Sequence, residues 1–191
     1  MQVLDEALSE IEEKAGLDIG RTLVFCLLET ALGVWKAYDI AVSSPRIAGV
    51  IPGGEDLRAD LKTDRSETGE ELIGPRRIIV LAAHAAKVDA LDTVYADFTD
   101  DEGLRRETEW IKQIGFQGKS VIHPNQIPII HDIFSPTQQE IEQAEKIVAT
   151  AKEAAKKGSG AVSVDGRMVD KPVVKRAEYT LQLAGLLEGG E

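Results

Sequence analysis

The sequence predicts an α/β protein built on parallel strands, and three observations carry that reading. Residues 23–29 (LVFCLLE) and 47–51 (IAGVI) are unbroken apolar runs, the habit of strands covered on both faces in a parallel sheet. Each leads into acids: Glu29 ends the first, and Glu55 and Asp56 follow Pro52-Gly53-Gly54 after the second. Helix-length segments separate the runs, as parallel crossovers require. Four such strands fit either a small open sheet or half of a (β/α)₈ barrel, whose full form takes about 250 residues.

Taken in order, residues 2–15 place Val3, Leu4, Leu8, Ile11 and Ala15 near helical spacing, predicting an amphipathic helix that stops at Gly16. A strand over 22–29 follows, with Cys26 reading as a buried small hydrophobe. Residues 31–42 read as helix, 47–51 as the second strand, and 58–74 as a charged loop with a short helix. An alanine-rich helix is expected over 75–88, with Pro75 tolerated in its first turn. A third strand over 91–95 precedes the acidic stretch 97–102, a helix over 103–114, a fourth strand over 119–122 and a short helix over 126–133. Ser135, Pro136 and Gln138 spell an S-x-x-Q helix start, opening a long helix to about Lys157 that Gly158 closes. Alternation around Asp165-Gly166 predicts a tight hairpin, and a last helix over 172–187 runs into a glycine-rich acidic tail. The expected division is a barrel-type domain over 1–157 and a hairpin-helix arm over 158–191.

Composition narrows the function. With 191 residues, 43% of them hydrophobic, the chain can bury a real core. A net charge of −11 argues against nucleic acid as a partner, because no basic face is available for phosphates. No apolar stretch approaches the roughly 20 residues that span a bilayer, and the acidic amino terminus is unlike a signal peptide, so a cytoplasmic protein away from membranes is expected. One cysteine permits neither an intramolecular disulfide nor a thiolate zinc cluster. G-x-S-x-G, P-loop and G-x-G-x-x-G motifs are all missing from the sequence.

Active sites of parallel α/β folds lie beyond the C-terminal ends of the strands. Neighbouring strands would hold Glu29 and Asp56 roughly 5 Å apart at the backbone, a seat for a divalent cation. The plainer alternative is that each acid caps the next helix or meets its dipole. Glu55 is expected to face away from Asp56, and Gly53 and Gly54 to permit close backbone approach. Of the histidines, His84 reads as a packing or surface residue and His131 as exposed. His123, ending the fourth strand, fits site shaping and a structural hydrogen bond equally well.

Five segments in order carry a family resemblance: LLETALGV, GGEDLRADLKT, ALDTVYADF, GFQGKSVIHPNQI and GSGAVSVDGRMVDKPVVKRA. Together they resemble the citrate lyase beta-subunit family, within the citryl-CoA and malyl-CoA lyase branch of the HpcH/HpaI aldolases. The resemblance implies a (β/α)₈ TIM barrel of which this chain supplies the C-terminal half, strands 5 to 8, with a C-terminal hairpin-helix appendage. Family members are longer, and the family's substrate-gripping arginine and acidic motif on earlier strands have no counterpart here. The resemblance further implies Mg²⁺ on Glu29 and Asp56, and Asp170 as the acid contributed from a neighbouring subunit of a homo-oligomer, family-typically a trimer. The implied reaction is cleavage of a citryl thioester, carried on CoA or acyl carrier protein, to oxaloacetate and an acetyl thioester. The alternatives are a malyl-CoA or other 3-hydroxyacyl-CoA lyase or thioesterase and, from another class, a catalytically silent subunit. Arg76 matches a family arginine, with Pro75 where alanine is usual.

Overall fold

The structure is a computed structural model that describes residues 1–66, 68–156 and 162–185. The chain forms two compact units, Met1–His131 and Asp132–Glu191. In the first, helix α1 (Gln2–Lys14) precedes four strands: β1 (Val24–Leu28), β2 (Ile47–Pro52), β3 (Asp89–Asp92) and β4 (Gly118–Lys119). They form one sheet in the order β1-β2-β3-β4, every neighbouring pair parallel. Sequential order without reversal is the order of a barrel wall, whereas a doubly wound sheet reverses at a switch point.

Between the strands lie α2 (Ala31–Trp35), α3 (Ala37–Ala41), α4 (Gly54–Leu61), α5 (Ile73–Ala86) and α6 (Asp101–Ile114). Val50, Leu57, Ile79, Ala83, Ala90 and Ile111 are fully buried and form the centre of the core. The single helix expected over 31–42 breaks at Lys36, which ends α2 and begins α3. The charged region expected as loop begins as helix instead, because Leu57 buries completely and Arg58 pairs with Glu71 at 2.6 Å. β3 and β4 are shorter than their apolar runs. Beyond Asp92 the Thr93 carbonyl accepts from Lys119 Nζ at 2.7 Å and so leaves the ladder.

The expectation that the first strand is covered on both faces fails. Phe25 and Leu27 are 45% and 55% exposed, and Cys26 is only half-buried. Leu23, Phe25 and Leu27 alternate into and along β1 and share one face, which the described residues leave open. Burial still pushes the Cys26 thiol above its ordinary range, which keeps it from acting as a thiolate. At the opposite end of the strands, α1 is pinned by a buried pair. Arg46 donates to both Glu12 oxygens at 2.9 and 2.8 Å, and Glu12 also accepts from the backbone of Gly20 and Thr22.

Helix α7 (Gln126–Phe134) leads into the second unit, which holds α8 (Gln138–Lys156), β5 (Val162–Val164), β6 (Arg167–Val169) and α9 (Lys171–Leu183). The hairpin forms at Asp165-Gly166, with φ of 51° and 75°, the left-handed pair that matches strand twist. Ala144 and Val148 of α8 pack with Ala177 and Leu181 of α9. The start of α8 is a capping box, but a different one from that expected: Thr137 and Glu140 exchange bonds in both directions. Two boxes overlap at this point in the sequence, and the carboxylate accepts more strongly than the Gln138 amide would. The stop expected at Lys157 and Gly158, the domain boundary placed between them, and positions 186–191 lie outside the described residues.

Candidate metal centre

The loop after β1 is held on three sides. Thr30 caps α2, its hydroxyl accepting from Gly33 N at 3.0 Å, and Ala31 N donates to Asp60 of α4 at 2.7 Å. Gly53 N donates to Leu28 O at 3.0 Å, tying the end of β2 to the end of β1. Thr30 rather than Glu29 is therefore the cap of the following helix, while Asp56, in the first turn of α4, stands where an acid meets the helix dipole. The half-buried Glu29 side chain lies across Gly53. A Cβ at that position would crowd Glu29 Cγ and stand 2.9 Å from Oε1, so a larger residue there would make the Glu29 side chain shift.

Asp56 is placed differently from the expectation. β2 ends at Pro52, and Asp56 stands exposed in the first turn of α4 rather than at a strand end. Its neighbour Glu55 is committed to Arg58 and Arg65, at 2.8 and 3.1 Å. Among the described residues neither Glu29 nor Asp56 has a hydrogen-bond or ion-pair partner for its carboxylate. No group of three or more His, Cys, Asp or Glu side chains among those residues is arranged to hold a metal. Two open carboxylates suit Mg²⁺, a hard ion that binds one or two of them and keeps its remaining positions for water and substrate oxygens. The donor set thus fits that ion and gives no footing to a soft-ligand site.

Asp170 lies in the second unit as the N-cap of α9, where Oδ1 accepts from Val173 N at 3.2 Å. It is half-buried. His84 Nε2 lies 3.0 Å from Gly115 O, and His123 stacks on Phe98 and bonds Asn125. His131 is exposed.

Sequence reasoning missed the strongest charge cluster. Arg76 of α5 makes a two-pronged pair with Asp92 at the end of β3, at 2.8 and 2.9 Å, and reaches Glu107 at 3.1 Å. Lys119 at the end of β4 joins Asp92 at 2.8 Å and Glu107 at 2.6 Å. Burial works against the Asp92 charge, but Lys119 and Arg76 outweigh it and hold the carboxyl below its ordinary range. Arg76 also lies over the Trp110 ring, 5.6 Å from its centroid. The available signal was a charged residue, Asp92 and Lys119, inside each of two strand segments, ALDTV and GKSVI.

Comparison with known proteins identifies the family and the fold. The HpcH/HpaI aldolase/citrate lyase family matches residues 1–124, and the C-C bond lyases of the TIM-barrel fold match residues 67–186. The chain is 43% identical to the citrate lyase subunit beta of Haemophilus influenzae, over 95% of this chain and 62% of that protein. It is 35% identical to the mitochondrial citramalyl-CoA lyase of Rattus norvegicus, over 82% of this chain and 49% of that protein. The chain thus spans about half to three-fifths of the length of these curated relatives. The structure superimposes with a TM-score of 0.73 on the CitE protein of Mycobacterium tuberculosis in complex with magnesium, acetoacetate and coenzyme A. That match has 31% identity and covers 92% of this chain and 72% of the other. No helix among the described residues is long and apolar enough to cross a membrane. The chain belongs to the HpcH/HpaI aldolase/citrate lyase family.

Proposed function

We propose that this chain is the metal-binding part of a Mg²⁺-dependent lyase that cleaves a citryl thioester to oxaloacetate and an acetyl thioester. The observation that carries the reading is the Glu29 carboxylate, left without a partner among the described residues and seated on a glycine at the C-terminal end of β1. Glu29 and Asp56 hold the ion. When bound, Mg²⁺ supplies a positive charge for the carboxylate and oxygen of the oxaloacetate end. Cleavage breaks the bond between carbons 2 and 3 and turns the 3-hydroxyl into the carbonyl of oxaloacetate; the proton the hydroxyl gives up to solvent balances the one that carbon 2 takes from a protonated acid, which solvent recharges. Asp170, supplied by a neighbouring copy in a homo-oligomer of trimer type, serves as the acid at that carbon. Its carboxylate is fixed for this task by the cap it makes to α9.

The four parallel strands are read as strands 5 to 8 of a (β/α)₈ barrel. Sequential order and the apolar face left open at Phe25 and Leu27 support that reading. The greater identity to citrate lyase beta, 43% against 35%, favours a citryl over a citramalyl substrate. The expected result is Mg²⁺ binding that disappears in calorimetry on Glu29→Ala or Asp56→Ala. Citryl-CoA cleavage by the chain, complemented in trans by the amino-terminal portion of a relative, should be lost in Asp170→Asn. Unchanged Mg²⁺ affinity in both alanine variants would refute the metal assignment, and full activity of Asp170→Asn would refute the acid.

A further inference from the structure

We infer that Thr93 is a positioning residue for the metal centre, acting from β3 as the missing cap of the helix that carries Asp56. The inference rests on the metal assignment to Glu29 and Asp56. Helix α4 begins at Gly54 with Gly53 in the cap position, and Gly53 has no side chain with which to accept from the first turn. The first N–H groups of a helix have no partner within it, and a buried one without a partner is costly. Gly54 N finds its partner 39 residues away: it donates to Thr93 Oγ1 at 3.1 Å. Thr93 is 6% exposed and Gly54 is buried, so water does not compete for this bond.

The contact is close on both sides. A Cβ on residue 54 would stand 2.8 Å from Thr93 Oγ1 and 3.1 Å from its methyl carbon, so the helix start rests directly on the threonine. Thr93 is itself immobilised, because its carbonyl accepts from Lys119 Nζ at 2.7 Å, and Lys119 is clamped by Asp92 and Glu107. One line of fixed contacts therefore runs from the buried charge cluster through Thr93 to Gly54. Asp56 is two residues further along the same turn, and Gly53, one residue back, carries the Glu29 side chain. Both proposed ligands depend on where α4 begins, and beside the Gly53 N bond to Leu28 O, Thr93 is the side chain that fixes its first N–H.

Removing only the hydroxyl should move the ligands without emptying the core. Thr93→Val keeps the shape and is expected to weaken Mg²⁺ binding about 10-fold, the lower end of what loss of an outer-shell contact to a metal site costs. Thr93→Ser keeps the acceptor and should bind within about twofold of the unchanged chain. Hydrogen exchange supplies a readout independent of metal: the Gly54 amide should lose protection in the valine variant and keep it in the serine variant. Should the valine variant fail to fold in a thermal melt, Gly54→Ala, which pushes the threonine away from the helix start, is expected to give the same loss of affinity. The inference is overturned if Glu29→Ala and Asp56→Ala abolish Mg²⁺ binding while Thr93→Val binds as tightly as the unchanged chain, or if Gly54 stays protected without the hydroxyl. Binding that survives Glu29→Ala and Asp56→Ala would instead overturn the metal assignment beneath it.

Discussion

Two sets of carboxylates stand near the C-terminal ends of neighbouring strands, and they are built on opposite rules. At β3, Asp92 is fully buried with both oxygens taken, by Arg76 and Lys119, and Glu107 completes a set of two positive and two negative charges. At β1 and the start of α4, Glu29 and Asp56 are two acids without a cationic partner among the described residues. The first arrangement removes its charges from water and neutralises them within the chain. The second leaves like charges near water, which the fold tolerates only where solvent or a cation answers them. An acid serving the fold has its oxygens taken, whereas an exposed acid without a partner, such as Asp18 or Glu109, is ordinary surface; Glu29 differs from these in being half-buried. The sequence offers both kinds at strand ends.

The sharpest way to break this comparison is to remove the saturated acid. Asp92→Ala leaves Arg76 and Lys119 buried with only Glu107 between them, and breaking a buried pair in this manner costs about 3–5 kcal/mol. Urea denaturation should show that loss. A cost below about 1 kcal/mol would mean that the cluster is no more than a surface pair in its energetics, and the contrast with Glu29 would collapse.

What the sequence made legible follows from the range of each interaction. Strand type and order came through because apolar runs and their spacing are local signals, and so did the Asp165-Gly166 turn. Glu29 and Asp56 drew notice as acids near the ends of such runs, but the run does not show that Asp56 stands in the first turn of α4 rather than at a strand end. Arg76, Asp92, Glu107 and Lys119 come from four separate elements with no shared period, so their meeting is a property of the folded sheet alone. Thr93 was hidden for the same reason: its role depends on Gly54, 39 residues earlier. The exposure of Phe25 and Leu27 reflects which face of the sheet is left uncovered, and an apolar run carries no mark of that.

A smaller effect comes from Glu71, the saturated acid that braces α4 from below. Burial raises its pKa, but bonds from Ser66 and Arg58 outweigh this and bring it down to about 2, from an ordinary value of 4.5. The folded state therefore holds fewer protons than the unfolded chain between those values, and stability falls as pH falls through that window. The contribution is complete above about pH 4.5 and gone near pH 2. Glu71→Gln should flatten this part of the acid limb in denaturation measured from pH 5 to pH 2. A limb of unchanged slope would show that Glu71 is not held down in the fold.

The smallest expected effect on stability is the most informative about the open pair. Glu29→Ala removes no hydrogen bond and no ion pair among the described residues, and Thr30 rather than Glu29 caps α2. Without Mg²⁺, its stability should stay within about 0.5 kcal/mol of the unchanged chain, as for substitutions that touch no structural feature. With Mg²⁺ at about 100 times its dissociation constant, the unchanged chain should gain about 2.7 kcal/mol, because a ligand that binds only the folded state adds its binding free energy to stability. The variant should gain nothing. Paired melts with and without Mg²⁺ read both quantities from one sample. A loss of 2 kcal/mol or more in the metal-free variant would place Glu29 with Asp92 among the acids that hold the fold, and the distinction between saturated and open carboxylates would fail where it matters most.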